Sequence, residues 1–393
     1  MSKLTLNDVD VTGKKVIMRV DFNVPLDKQG VITDDNRIRE ALPTIKYILE
    51  RGARTLILMS HLGRPDGTVV EGLRMSAVAK KLSSLLGQEV EKLDDCVGPE
   101  VQKAIAATKA KIVLLENLRF HAEEEAGDEA FAKELASLAD IYVNDAFGTA
   151  HRAHASTTLI AQFIPSCLGF LMEKEVTSLA AALKPAKPYV VILGGAKVSD
   201  KIGVISNLMK NADTILVGGA MAYTFLKSRG EDVGNSRVEA DKLALAKDIL
   251  TEAKQKNVHI ILPVDHVAVE AIDNPATKKI VDTIPAGFLG VDIGPKTIAL
   301  FKKELSLAKT VLWNGPVGIF EKEPYAQGTR ELALYLATLT STTVIVGGGD
   351  SAAAAKKFGV AGSLSHVSTG GGASLELLEG KELSGIAIIP DKK

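Results

Sequence analysis

YVVILGGAKVSDKIGVISNLMKN, residues 189–211, combines a strand, a glycine turn and a helix in one stretch. Five apolar residues, three of them β-branched, run from Tyr189 to Leu193 and stop at Gly194 and Gly195, the pattern of a buried strand. Beyond Lys197 the apolar residues Ile202, Ile205 and Leu208 recur at three-residue spacing, with Ser206, Asn207 and flanking charges among them, which predicts an amphipathic helix over 200–211. The same succession repeats along the chain. Before it come the runs KVIMRV (15–20), TLILM (55–59), KIVLL (111–115) and DIYV (140–143). After it come TILV (214–217), HIILPV (259–264), TVLW (310–313) and TTVIV (342–346), and helical periodicity fills 75–86 and 325–339. Strands alternating with helices predict an α/β protein of parallel sheets covered by helices. At about 100–200 residues per domain, 393 residues predict two domains, or one unusually large one. The stretch 170–186 reads as a helix ended by Pro185 and Pro188, and no Gly/Ser-rich linker is present, so the expected join between domains is itself a helix.

Composition removes several classes of function. Lys plus Arg total 47 against 48 Asp plus Glu, a net charge of -1, which argues against a general nucleic-acid or membrane-surface binder. With 24% charged and 46% hydrophobic residues, the chain is neither disordered nor fibrous. Cys96 and Cys167 allow one bridge at most, and no CxxC or Cys/His spacing suggests structural zinc, so both read as small buried apolar side chains of a cytoplasmic protein. The N-terminus lacks the apolar core of a signal peptide, and no apolar run approaches ~18 residues.

In open parallel sheets ligands collect beyond the carboxyl ends of the strands. In the first half those ends carry Asp21 and Asn23, His61 and Arg64, Arg119, then Asp145, His151 and Arg152. Cationic groups converging there predict a site for a small, multiply charged anion, because guanidinium forks match phosphate and carboxylate oxygens. In the second half the ends carry glycine: GGAK (194–197), GGAMA (218–222), WNGPVG (313–318), GGGDS (347–351) and STGGGAS (368–374). Glycine at a strand-to-helix turn lets backbone N–H groups approach phosphate or a flat base. Taken singly, each feature has a plainer explanation: an arginine in solvent, a tight turn, a structural His61, an Asp350 that caps a helix. Repetition over so many strand ends is what packing alone does not explain. No GxxxxGK[ST] loop, GxGxxG turn, or HRD and DFG pair is present, so a nucleotide site here follows another plan. Lys197 and Asp350 then read as a phosphate partner and a Mg²⁺ ligand. The turn Gly370–Gly372 opens an apparent helix whose N-terminus favours negative charge.

Eight segments, RVDFNVP, SHLGRPDG, LLENLRFH, VNDAFGTAHRAH, LGGAKVSDKI, WNGPVGIFE, VGGGDSAAA and SHVSTGGGASLELLEG, occur in order from residue 19 to residue 380. Together they resemble the signatures of the phosphoglycerate kinase family. The resemblance implies two Rossmann-like domains facing each other across a cleft: a 3-phosphoglycerate-binding domain over 1–169, a hinge helix over 170–186, a nucleotide-binding domain over 187–375, and a tail, 376–393, returning to the first domain. It implies reversible phosphoryl transfer between 1,3-bisphosphoglycerate with MgADP and 3-phosphoglycerate with MgATP, in glycolysis and gluconeogenesis. Matched by motif, the triose site would be Asp21, Asn23, Arg37, His61, Arg64, Arg119 and Arg152. The transfer groups would be Arg37, Lys197, Gly370, Gly371 and Gly372. Lys197 and Lys201 would hold nucleotide phosphates together with Asn314, and Asp350 would ligate Mg²⁺ with Ser351 nearby. Gly195, Gly218, Gly219, Gly290, Val291, Pro316 and Ile319 would frame the adenine, and Glu321 would reach the ribose. Ser351 stands where the family often has Thr, and Val291 where Leu is common. A monomer acting on small molecules, with no nucleic-acid or membrane partner, is the family expectation. The alternative from another class is a non-catalytic anion and nucleotide sensor on the same scaffold. It would lose the transfer residues, and Arg37, Lys197, Asp350 and Gly370–Gly372 are all present.

Overall fold

In the computed structural model, which describes residues 3–392, the first six strands are β1 (Lys15–Val20), β2 (Thr55–Met59), β3 (Glu91–Lys92), β4 (Ile112–Leu114), β5 (Ile141–Asp145) and β6 (Ser166–Leu168). They form one parallel sheet in the order β3-β4-β2-β1-β5-β6, with Val16 of β1 aligned between Leu56 and Ile141. The next nine are β7 (Tyr189–Leu193), β8 (Thr214–Val217), β9 (His259–Ile261), β10 (His266–Val269), β11 (Lys279–Val281), β12 (Leu289–Ile293), β13 (Thr310–Asn314), β14 (Thr343–Val346) and β15 (His366–Val367). Six of these make a second parallel sheet, β15-β14-β13-β7-β8-β9, so the α/β expectation holds.

Central strands such as TLILM and YVVIL are buried at every residue, as they must be when helices cover both faces of a parallel sheet. The helix Asn36–Glu50 shows the matching stripe, burying Ile38, Ala41, Ile45 and Ile48 against β1 and β2 neighbours such as Met18 and Leu58. Around β13 the corresponding core gathers Ile192, Leu216, Phe301, Leu305, Trp313 and Val346. Each such fully buried side chain contributes roughly 1.5–3 kcal/mol.

Three features depart from the sequence expectation. The run HIILPV ends as a strand at Ile261, because Pro263 has no N–H to give the ladder. The predicted helix 200–211 is shorter, a 3₁₀ turn Ser199–Lys201 followed by Ile202–Leu208. Between β9 and β13 the chain forms a small antiparallel sheet, β11-β10-β12, that no apolar run announces, since β11 lies largely in solvent.

The chain divides into two compact units, Met1–Thr177 with Glu382–Lys393, and Ser178–Lys381. The division falls inside the helix Phe170–Leu183, and residues 376–381 stay with the second unit rather than with the tail. The tail is held in the first unit by Leu4 N–H to Pro390 O (2.8 Å), Gly385 N–H to Ala150 O (2.8 Å) and Asn144 Nδ2 to Gly385 O (3.0 Å). The helix stops at Leu183, short of 186, because Pro185 pushes Lys184 out of the helical region. Its first-turn donors are satisfied from a distance: Phe170 N–H by Thr44 Oγ1 (3.1 Å), Leu171 and Met172 N–H by Asp145 Oδ1 (2.9 and 3.2 Å). Asp145, one of the strand-end polar groups, therefore serves the helix.

Burial pushes the Asp145 carboxyl up to about 7 from its ordinary 3.8. The fold thus favours the protonated form. Its stabilising contribution is complete below the unfolded value and is lost as the pH rises through about 7. Asp145→Asn, neutral and of the same shape, should be more stable than the parent near pH ~8.5, with the difference closing toward pH ~4. Urea unfolding at both pH values checks this, and equal destabilisation at both would contradict it.

Both cysteines are free and buried. The fold does assemble a mixed cluster that residue spacing hides: Asp95, Cys96 and His121 place donor atoms within 4.8 Å of one another. Each already has a protein partner. His121 Nε2 lies 2.7 Å from Asp95 Oδ1, and the Cys96 thiol donates to Glu116 O at 3.0 Å.

Candidate active site

In the first unit the strand order reverses between β1 and β5, which makes the carboxyl ends of those strands the natural ligand crevice. The loop after β1 carries Asp21 and Asn23, and Asn23 Oδ1 accepts Gly63 N–H (2.9 Å), tying it to the loop after β2 that carries His61 and Arg64. Arg37, in the first turn of the helix Asn36–Glu50, is paired with the Asp21 carboxylate. Arg119 follows β4 in the 3₁₀ turn Leu118–Phe120. Its guanidinium donates to Gly63 O (2.9 Å) and pairs with Glu125 (3.2 Å). Arg152 is half-buried after β5, and Arg64 is exposed further along the His61 loop.

His61 is only 4% exposed, with Nδ1 3.2 Å from Arg19 Nη2. A guanidinium can only donate, so Nδ1 accepts and the ring proton sits on Nε2. Burial, then the positive charges of Arg19, Arg119, Arg37 and Arg152, hold the imidazole well below its usual range, so it is neutral at pH 7. The structure therefore brings His61, Arg37, Arg119 and Arg152 into one electrostatic group. It adds Arg19, 1% exposed on β1, which strand-end reading missed; its signal was a charge inside an otherwise apolar run.

In the second unit the order reverses between β7 and β13. There the glycine turns bond to one another: Gly194 N–H to Asn314 O (3.0 Å), Gly195 N–H to Pro316 O (3.1 Å), Gly218 N–H to Leu193 O (2.8 Å) and Gly219 N–H to Val317 O (2.9 Å). Lys197 is exposed just beyond. The half-buried Lys201 ammonium donates to Asn314 Oδ1, and Asn314 Nδ2 donates to Gly347 O (2.8 Å). Burial lowers the Lys201 pKa, and Asp350 acts in the opposite sense.

Asp350 is the second residue of the helix Gly349–Lys357, and its carboxylate is exposed. The N-cap is Gly348, so the plain capping explanation of Asp350 does not hold. Ser351 is fully buried, and its hydroxyl accepts Gly315 N–H, which fastens the WNGPVG loop to this helix. Gly290 and Val291 lie on β12, where Val291 packs with Val269 and Tyr325 and its carbonyl accepts Ile319 N–H (2.9 Å). A Cβ on Gly290 would lie 1.9 Å from the Tyr223 hydroxyl, so packing alone requires glycine there. Glu321 is exposed, and its carbonyl accepts from Lys357 Nζ (3.1 Å). Gly370–Gly372 form a turn in which Gly371 caps the helix Gly372–Leu378 and Gly370 N–H donates to Ser368 Oγ (3.2 Å).

The chain is thus an α/β protein with an arginine-rich cluster at the strand ends of one parallel sheet and lysine, aspartate and glycine turns at those of another, and its relatives place it among the phosphotransferases that act on a carboxyl acceptor. The chain matches the family described as phosphoglycerate kinase over residues 6–381. It is 56% identical over 393 residues to phosphoglycerate kinase of Dictyoglomus turgidum (99% of this chain, 98% of the relative). It is 58% identical over 400 residues to that of Thermosipho africanus (100% and 99%). The solved structure of phosphoglycerate kinase from Coxiella burnetii superposes with a TM-score of 0.90 at 40% identity, covering 98% of each chain. This chain belongs to the phosphoglycerate kinase family. Among the described residues no helix is long and apolar enough to cross a membrane.

Proposed function

We infer that the chain catalyses its family's reaction, reversible transfer of a phosphoryl group between 1,3-bisphosphoglycerate with ADP and 3-phosphoglycerate with ATP. The first unit is assigned the phosphoglycerate and the second the nucleotide. The observation that carries the assignment is the buried His61, its Nδ1 on Arg19 and the charges of Arg37, Arg119 and Arg152 close enough to act on it, a cluster of positive charge suited to a small polyanion.

The attacking group in the ATP-consuming direction is a carboxylate, ionised at neutral pH, so no general base is needed. His61 would bind as a donor through Nε2–H. Catalysis then reduces to alignment and to stabilising charge on the phosphoryl in transit, the work assigned to Arg37, Lys197 and the N–H groups of Gly370–Gly372. Asp21 suits this scheme because it pre-orients Arg37 while leaving guanidinium donors for the phosphoryl oxygens. Lys201 and Asn314 would hold nucleotide phosphates, while Gly195, Gly218, Gly219, Gly290, Val291, Pro316 and Ile319 frame the base and Glu321 reaches the ribose. Ser351 contributes by fastening Gly315.

Asp350 fits a magnesium ligand: it is an exposed hard oxygen donor close enough to Lys201 to act on its charge, and Mg²⁺ keeps most of its waters and takes few protein carboxylates. Bound there, the ion would neutralise phosphate charge and orient the transferring group. A coupled assay for ADP formed from ATP and 3-phosphoglycerate tests the function; ADP formation independent of 3-phosphoglycerate would sink it. Asp350→Ala should raise the Mg²⁺ needed for half-maximal rate by about 10- to 100-fold, the worth of one charge-assisted contact. The affinity for 3-phosphoglycerate should not change. An unaltered Mg²⁺ dependence would remove Asp350 from the metal site.

A further inference from the structure

Three consecutive glutamates, Glu123, Glu124 and Glu125, fall in the short helix Ala122–Ala126, and they meet three different environments. Glu123 is exposed and Glu125 pairs with Arg119. Glu124 is fully buried. A carboxylate is taken out of water only where strong partners replace the solvent. Here Oε2 accepts Ser156 N–H (2.9 Å) and Oε1 accepts the Ser156 hydroxyl (2.6 Å). A hydroxyl has one proton, so with that proton committed to Glu124 the Ser156 oxygen must accept, and it takes Arg19 Nε–H at 2.9 Å. The guanidinium is planar, and Nη1 is fixed on Val20 O, so Nη2 is carried rigidly to His61 Nδ1 at 3.2 Å. Tyr142 OH on Ser156 O (2.9 Å) and Ala155 N–H on Glu124 O (3.0 Å) pin the same segment from either side. The Ser156 hydroxyl proton and one N–H on each Arg19 nitrogen thus have a named acceptor along the chain Glu124–Ser156–Arg19–His61.

We propose that Glu124 is a positioning residue which, through Ser156 and Arg19, fixes His61 in its Nε2–H tautomer. The consequence for the acceptor site rests on the placement of His61 there under the proposed function. With Nδ1 occupied, the ring presents a donor to an anion. In the other tautomer it would present a bare nitrogen lone pair, which repels one. Burial raises the Glu124 carboxyl while Arg19 and the Ser156 donors act in the opposite sense, and in its ionised form Glu124 supplies a negative charge to the buried Arg19. If Glu124 is removed, the Ser156 hydroxyl is free to turn. Arg19 Nε–H then loses its assigned acceptor, and the guanidinium no longer has a single orientation toward His61.

The test reads the ring nitrogens of the full-length, ligand-free protein by ¹⁵N NMR. The chain has seven histidines, and the His61 signals are those that vanish in His61→Gln. The parent should show a neutral His61 with Nδ1 bare and Nε2 protonated. Glu124→Gln turns one accepting oxygen into a donor, and it should populate both tautomers. It should also raise KM for 3-phosphoglycerate about tenfold, the worth of one hydrogen bond to a charged group. KM for ATP should not move. Loss of a buried carboxylate can unfold a protein, so Ser156→Ala, which cuts the relay without removing charge, is the companion variant and should give the same tautomer mixture. A parent ring protonated on Nδ1, or a His61 spectrum unaltered in both variants, overturns the proposal. A changed tautomer with unchanged KM upholds the positioning and overturns instead the acceptor role of His61.

Discussion

Arg37→Ala is expected to lower kcat by about 10³-fold or more while leaving both substrate KM values within a few-fold, since an arginine acting on a transferring phosphoryl group is worth about 10³–10⁵ in rate. The fold should not suffer. The side chain is 38% exposed, the position lies in the first turn of Asn36–Glu50, and alanine is a strong helix former. Asp21 loses its cationic partner but keeps the Asn23 N–H at 3.2 Å. Steady-state kinetics with each substrate varied in turn separates the possibilities. A large rise in one KM with kcat retained would make Arg37 a binding residue. A variant keeping more than about a tenth of the parent kcat would show that Arg37 has no transition-state role.

Gly194→Ala should produce the largest loss of stability. Its Cβ would lie 2.0 Å from Pro316 O, 2.5 Å from Pro316 C and 2.7 Å from Gly315 O, all backbone atoms that cannot rotate aside. β7 and β13 are adjacent central strands, so relief requires their ends to part, which breaks the bonds of Gly194 to Asn314 and of Gly195 to Pro316. Overpacking of this kind costs about 3 kcal/mol, which corresponds to a fall of roughly 6–12 °C in unfolding temperature for a unit of this size. Trp313, the single tryptophan, sits on β13 with its indole N–H on Gly315 O at 2.9 Å, so its fluorescence reports this unit directly. Gly362→Ala is the control, because a Cβ there meets nothing within 4 Å. Equal unfolding temperatures for the two variants would contradict the packing explanation, and a folded Gly194→Ala protein with undiminished ATP affinity would separate this turn from nucleotide binding.

Both variants rest on groups whose positions were visible to different degrees in the chain itself. β1, β2, β7 and β8 have the limits that their apolar runs predict, because a strand buried on both faces writes its length directly as consecutive apolar residues. β10, β11 and β12 went unseen: β11 lies largely in solvent, and β10 and β12, though mostly buried, have their apolar residues broken up by His266, Gly290 and Asp292. Among the proposed site groups, the strand-end placement of the basic and glycine residues was legible because side-chain chemistry at a turn is a local property. Arg37 was not: it lies in a helix as an ordinary charge, and only its likeness to a family motif, then its pairing with Asp21, sets it apart.

Glu124, Ser156 and Arg19 were beyond any local rule, since the partners lie 32 and 137 positions apart in the chain. The roles of Ser351, bound to Gly315, and of Asp145, bound to the first turn of Phe170–Leu183, were equally hidden. Periodicity records how a residue meets its own backbone and the nearest layer, and each residue carries that information independently. Which hydroxyl accepts, which tautomer a ring takes and which carboxylate is buried depend on the order of strands in a sheet. That order brings distant loops together, and burial then makes each remaining hydrogen bond obligatory.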